Sequence, residues 1–200
     1  MPLQLYLASA SPRRKALLEQ LGLRFELLDI DVAEQQQENE NAADYVRRLS
    51  LDKAKAGAAI APLPVPVLGA DTIIVCDGDV LEKPRDFADC QAMLQRLSNR
   101  QHQVLTAISF AYQDVHLTHL TATNVYFKPL SLTEIVNYWQ TKEPIDKAGS
   151  YAIQGIGGRF VTRIEGSYHA VVGLPLYETE QLFNQFINLL SEKHESRITR

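Results

Sequence analysis

Hydrophobic and polar positions follow two rhythms along this chain, and the rhythm changes near its middle. Leu3, Leu5, Tyr6 and Leu7 form a short apolar run that predicts a first β-strand, and Ala16, Leu17, Leu18, Leu21 and Leu23 follow at helical spacing. A second strand is predicted over 24–30, a polar loop rich in Gln, Glu and Asn over 32–41, and a helix over 42–59. That helix carries Tyr45, Val46, Leu49, Ala54 and Ala56 on or near one face. The run 65–76 predicts a strand, buried in its second half, which Asp77-Gly78 turns back into Val80 and Leu81. Pro84 stops the hairpin and Asp86 caps a helix through about Leu97. Two long strands are predicted over 103–112 and 115–127, joined by Gln113-Asp114. A helix over 132–140 then opens with Ser131 and Glu134 at capping-box spacing. Beyond a glycine-rich turn region at 149–158, short strands are predicted over 160–164 and 170–172. Pro175 starts a last helix through Leu190, and 191–200 forms a charged, frayed tail. Strands and helices alternate early, while long β-ribbons fill the middle. The pattern predicts an α/β fold with a mixed, elongated sheet, residues 1–190 forming one domain.

Composition narrows the class. A chain of 200 residues, 46% hydrophobic and 22% charged, has the make-up of an ordinary globular protein with a sizeable core. Twenty basic against 24 acidic side chains give a net charge of −4, which argues against a nucleic-acid-coating surface and leaves room for a local cationic pocket. Residues 56–70 carry no charge, but Pro62, Pro64 and Pro66 interrupt them, and a spanning helix needs roughly 20 mostly apolar residues. No membrane span is expected. Ala8-Ser9-Ala10 has the spacing of a signal cleavage site, yet no basic residue precedes it and the apolar run is too short, so the segment is read as part of the mature fold. Cys76 and Cys90 form no C-x-x-C pair and read as buried free thiols in a reducing cytoplasm.

The candidate chemistry begins at the first strand–helix junction. Ser11 is placed to cap the helix and Pro12 suits its first turn. Arg13 and Arg14 follow, although a helix start favours acids over cations. Two cations beside free backbone N–H groups suit a docked phosphate; the plainer alternative is a solvated surface helix. Asp71 interrupts an apolar strand, an expensive place for a carboxylate unless it is paired, metal-bound or hydrogen-bonded to backbone. Glu82-Lys83-Pro84-Arg85-Asp86 lies across the hairpin, where Lys83 either folds back toward the Asp71 strand or belongs to a surface turn. Lys53 sits late in a helix among alanines, a setting of partial burial, and Glu34 has no local signature. The stretch 146–158 holds Gly149, Gly155, Gly157 and Gly158, which permit close backbone approach. It does not match G-x-G-x-x-G, and no P-loop sequence occurs. His116 and His119 point to opposite faces of a strand, so they make no metal pair.

Together the segments resemble the Maf family of nucleoside triphosphate pyrophosphatases. The resemblance rests on Ala8-Ser9-Ala10-Ser11-Pro12-Arg13-Arg14, Leu68-Gly69-Ala70-Asp71-Thr72, Glu82-Lys83-Pro84, Asp146-Lys147-Ala148-Gly149-Ser150-Tyr151, Ile153-Gln154-Gly155 and Val172-Gly173-Leu174-Pro175-Leu176, in family order. It implies an elongated mixed sheet flanked by helices, one catalytic domain of two lobes around a central cleft, similar to inosine triphosphate pyrophosphatases. It also implies cytoplasmic, divalent-metal-dependent hydrolysis of a nucleoside triphosphate to its monophosphate and pyrophosphate. Asp71 matches the family's proton acceptor. Ser9, Arg13, Arg14, Lys53 and Lys83 match its substrate-binding residues, and Glu34, Asp71 and Asp86 are the carboxylates available to Mg²⁺ or Mn²⁺. Arg13, Thr72 and Gln154 match the subgroup acting on dTTP and UTP, where the subgroup acting on 7-methyl-GTP carries Trp, Gln and Glu. An amide with both a donor and an acceptor complements the uracil edge, whereas a carboxylate would repel its carbonyls. The family also implies a homodimer as a compatible assembly, and as the alternative function a regulatory protein that restrains cell division or septum formation through binding. No nucleic-acid or membrane partner is expected.

Overall fold

The computed structural model describes residues 2–198. In chain order the elements are β1 (Leu5–Ala8), α1 (Pro12–Gln20), β2 (Phe25–Leu28), α2 (Ala42–Ile60), β3 (Val67–Cys76), β4 (Asp79–Leu81) and α3 (Phe87–Leu97). They continue with β5 (Gln101–Tyr112), β6 (Val115–Phe127), α4 (Leu132–Gln140), three short 3₁₀ turns between 143 and 160, β7 (Val161–Glu165), α5 (Tyr168–Val172) and α6 (Leu176–Ile198). Among the described residues the strands form one seven-stranded mixed sheet in the order β2-β1-β3-β5-β6-β7, with β4 paired to β3. The mixed α/β class is as the sequence pattern predicts. Strand β1 runs parallel to both β2 and β3, and each parallel pair needs a crossover, supplied by α1 and α2. The β3–β4 and β6–β7 pairs are antiparallel.

The chain falls into two compact units. The first holds the chain up to Asp71, Ala107–Leu120 and everything from Gly173 on; the second holds Thr72–Thr106 and Thr121–Val172. In the first unit Tyr6, Ala8 and Val67 are buried with Leu28, Ile30, Ala58 and Val65 packed against them. Helix α6 is anchored there by Phe183 and Phe186, whose rings lie 5.4 and 5.8 Å from that of Phe110. The second unit has its own core, built from Ile74, Leu81, Leu94, Val125, Phe127, Tyr138, Tyr151 and Phe160 among others.

Local signals explain most of the boundaries. Asn41 caps α2, Asp86 caps α3, and Ser131 with Glu134 closes a capping box on α4. Two expectations differ from the structure. Ala170-Val171-Val172 belongs to the one-turn helix α5 and not to a strand: Ser167 Oγ accepts the Ala170 N–H at 3.1 Å, and Gly173 ends the turn at φ 129°. An apolar run this short has no periodicity to distinguish the two. Helix α6 also continues past Leu190 to Ile198, carried by helix-favouring residues such as Glu192 and Lys193. Residues 199–200 of the expected tail lie outside the described residues.

His102 gives the second core a pH dependence. It is 2% exposed, its Nε2 lies 2.8 Å from Tyr151 Oη, and burial holds its imidazole down at about 4. The folded chain therefore keeps His102 neutral, while the unfolded chain takes up a proton below about pH 6.5. Stability is complete above that value and is lost as pH falls toward 4, by up to about 3 kcal/mol from this group. Urea titrations from pH 7 to 4 should show this loss in the wild type, and His102→Gln should lack it. Parallel acid profiles for the two proteins would refute the assignment.

Candidate active site

The β1–α1 junction is built around two serines and two arginines. Ser11 Oγ accepts the Arg14 N–H at 3.4 Å as the cap of α1, Pro12 occupies the first turn, and no acid stands in that turn. Ser9, 7% exposed, braces the corner by accepting the Ser11 N–H at 3.2 Å. Arg14 Nε donates to Gly173 O at 2.9 Å, and its Nη1 lies 3.5 Å from Ser9 Oγ. Burial pushes the Arg14 guanidinium below its ordinary value; Asp71 and Glu34 pull it up, and Arg13 pushes it further down. Arginine keeps its charge at neutral pH even so. The first unit thus carries a cationic helix start that senses two carboxylates.

Those carboxylates are held by Lys53. Its Nζ donates to Asp71 Oδ1 at 2.7 Å and to Glu34 Oε1 at 2.6 Å, spending two of its three protons. The Lys53 and Asp71 side chains are 8% and 9% exposed, whereas Glu34 is 40% exposed. The approach of β3 to α2 makes this contact reachable. A Cβ on Gly69 would fall 2.3 Å from Ser50 O and 2.5 Å from Ala54 N, so only glycine lets the strand lie against the helix backbone beside Lys53. The sequence implies partial burial for Lys53 and carries no local signature for Glu34; the two meet at Asp71 only in three dimensions.

The remaining predicted residues lie in the second unit. Thr72 Oγ1 sits 3.0 Å from Thr106 Oγ1, and the buried Thr106 hydroxyl donates to Ala170 O at 2.7 Å. Thr106 was not singled out in the sequence, since a lone Thr in a long strand carries no pattern. Lys83 is exposed just beyond β4, and Asp86 Oδ1 accepts the Asp89 N–H at 2.8 Å as the cap of α3. Gln154 is exposed in a turn closed by the Gly155 N–H on Ala152 O at 3.1 Å.

The family model described as Maf-like protein matches residues 4–186. This chain belongs to the Maf family. Among its Maf relatives, a protein of Vibrio parahaemolyticus named dTTP/UTP pyrophosphatase is 58% identical over 185 residues, covering 92% of this chain and 98% of the relative. Proteins of the same name from Vibrio cholerae and Pectobacterium atrosepticum are 57% and 54% identical, covering 92% and 95% of this chain and 98% and 96% of theirs. Among solved structures, the Staphylococcus aureus Ham1 protein aligns over 97% of this chain and 99% of its own at 15% identity, with a TM-score of 0.49.

A hard divalent cation can be tested against the Maf site by its donors. Glu34 and Asp71 are oxygen donors brought within reach of one ammonium group, and a Mg²⁺-type ion is commonly held by one or two carboxylates plus substrate phosphates. Each commits one oxygen to Lys53, so the pair matches such an ion in donor type and in number of carboxylates. Among the described residues no group of three or more His, Cys, Asp or Glu side chains forms a metal-binding cluster, and Asp86 commits one oxygen to its helix cap. Also among the described residues, no helix is long and apolar enough to cross a membrane.

Proposed function

We propose that this protein hydrolyses dTTP and UTP to the nucleoside monophosphate and pyrophosphate. The observation that carries the reading is the buried Lys53–Asp71 pair, joined by the part-exposed Glu34, in the same unit as the arginine-bearing start of α1. The names of the 54–58% identical relatives support the substrates. A merely structural carboxylate would not need both a buried lysine and an arginine sensing its charge.

Attack of water at the α-phosphorus forms a new P–O bond, breaks the bond to the α–β bridging oxygen, and releases pyrophosphate with that electron pair. Asp71 takes the proton from the attacking water. Lys53 holds the Asp71 carboxylate in one orientation through the 2.7 Å contact of its Nζ. Arg13, Arg14 and Lys83 grip phosphate oxygens, the arginines in forked geometry, and Ser9 keeps the corner beneath them in shape. Glu34 and Asp71 would hold Mg²⁺ or Mn²⁺, with Asp86 the third candidate from the sequence; such an ion supplies charge neutralisation on the triphosphate. Arg13, Thr72 and Gln154 set the base preference. We take the enzyme to work in the cytoplasm, in keeping with the two free thiols at Cys76 and Cys90, with the homodimer as its assembly.

The test is product identification after incubation with UTP, dTTP, CTP and GTP plus Mg²⁺. UMP and dTMP with pyrophosphate are expected, with UTP and dTTP preferred about 10- to 100-fold, the scale of a buried hydrogen-bond mismatch. Nucleoside diphosphate and orthophosphate would refute the proposal.

A further inference from the structure

The turn that carries Gln154 is fastened from behind by two side chains. Tyr138, on α4, accepts the Ala152 N–H on its hydroxyl oxygen at 3.2 Å and donates its own proton to Glu143 Oε1 at 2.7 Å. Glu143 accepts the Ile156 N–H on Oε2 at 2.9 Å and the Gly157 N–H on Oε1 at 3.0 Å. The backbone donors at 152, 156 and 157 bracket Gln154 on both sides, and all of them end on this one phenol–carboxylate pair. Two glycines record how closely the pair sits. A Cβ on Gly155 would lie 2.2 Å from Glu143 Oε2, and one on Gly157 would lie 2.5 Å from Tyr138 Oη. Tyr138 is fully buried. Burial raises the Glu143 carboxyl, but the Gly157, Tyr138 and Ile156 donors together with the Lys147 cation outweigh it, so the group is ionised at neutral pH.

We infer that Tyr138 and Glu143 are positioning residues for base recognition, fixing the 152–157 turn so that the Gln154 carboxamide meets a pyrimidine edge in one orientation. The inference rests on the proposed role of Gln154. A carboxamide discriminates only if its donor and its acceptor are both aligned, because a freely rotating amide matches the cytosine edge as well as the uracil edge. The arginine-bearing start of α1 and the Lys53–Asp71 pair belong to the first unit, whereas this turn belongs to the second, and among its hydrogen bonds described above none goes to those residues. Loosening it should therefore weaken base binding and selectivity while sparing the chemical step.

The experiment compares wild type, Glu143→Gln and Tyr138→Phe with UTP, dTTP and CTP, alongside amide hydrogen exchange at Ala152, Ile156 and Gly157. In both variants KM for UTP and dTTP should rise about tenfold, kcat should stay within about twofold, and the preference over CTP should fall about tenfold. Exchange at Ile156 and Gly157 should speed up in Glu143→Gln, and at Ala152 in Tyr138→Phe. A merely structural role would lower kcat/KM for every nucleotide by one common factor, and that result would overturn the inference. Should Glu143→Gln fail to fold, Tyr138→Phe decides alone, since it removes a single oxygen from an otherwise isosteric ring. A wild type that prefers UTP and dTTP, with variants of unchanged preference, removes the positioning inference only. A wild type without that preference removes the base-recognition reading and the inference with it.

Discussion

Asp71→Asn is expected to lower kcat for UTP and dTTP by about 10²- to 10⁴-fold, the range a positioned general base contributes. The substitution keeps the size of the side chain and an oxygen able to accept from Lys53 Nζ, so the 2.7 Å contact can persist. What it removes is the negative charge and the capacity to take a proton from water. Lys53 retains Glu34 at 2.6 Å, so the buried ammonium is not left without a carboxylate and the chain should fold. Pyrophosphate release in single turnover gives the rate, and a thermal melt confirms the fold. A folded Asp71→Asn protein with near-normal turnover would remove Asp71 from its role.

Where the sequence was legible, the signal was local. Ser11-Pro12 marks the start of α1, Asp77-Gly78 the β3–β4 turn, and Ser131 with Glu134 the start of α4, because each works through backbone groups within a few residues. The ambiguity of 170–172 has the same root, since three apolar residues fit either a strand or one helical turn. The site was less legible because its contacts are distant in sequence. Lys53 meets Glu34 across 19 residues and Asp71 across 18, and Thr72 meets Thr106 across 34. No spacing rule links such residues; Glu34 entered only through the likeness to a family. Tyr138 and Glu143 stayed unseen for a different reason. Their partners are backbone N–H groups, which carry no residue-type signature. The only trace they leave in the sequence is the glycines at 155 and 157, which cannot bear a side chain there.

Lys53→Met should cost more stability than any other single change at the site. Lys53 and Asp71 are each about nine-tenths buried, and removing one partner of a buried pair leaves the other charge uncompensated, typically at about 3–5 kcal/mol. For a chain of this length that corresponds to a fall in melting temperature on the order of 10 °C. Repulsion between Asp71 and Glu34, no longer bridged, adds to the loss, moderated by the solvent that reaches Glu34. Neutralising the acid as well separates this cause from lost packing. If the uncompensated charge dominates, Lys53→Met combined with Asp71→Asn should be more stable than Lys53→Met alone, the two changes failing to add because they share one contact. If the lysine stem dominates through its packing between α2 and β3, the double variant should be no better than the single. A melting temperature for Lys53→Met within about 2 °C of wild type would show that the pair is not the buried, mutually dependent unit described above. Such a result would also weaken the case for Asp71 as a base oriented by its neighbour, because the same contact serves both stability and chemistry.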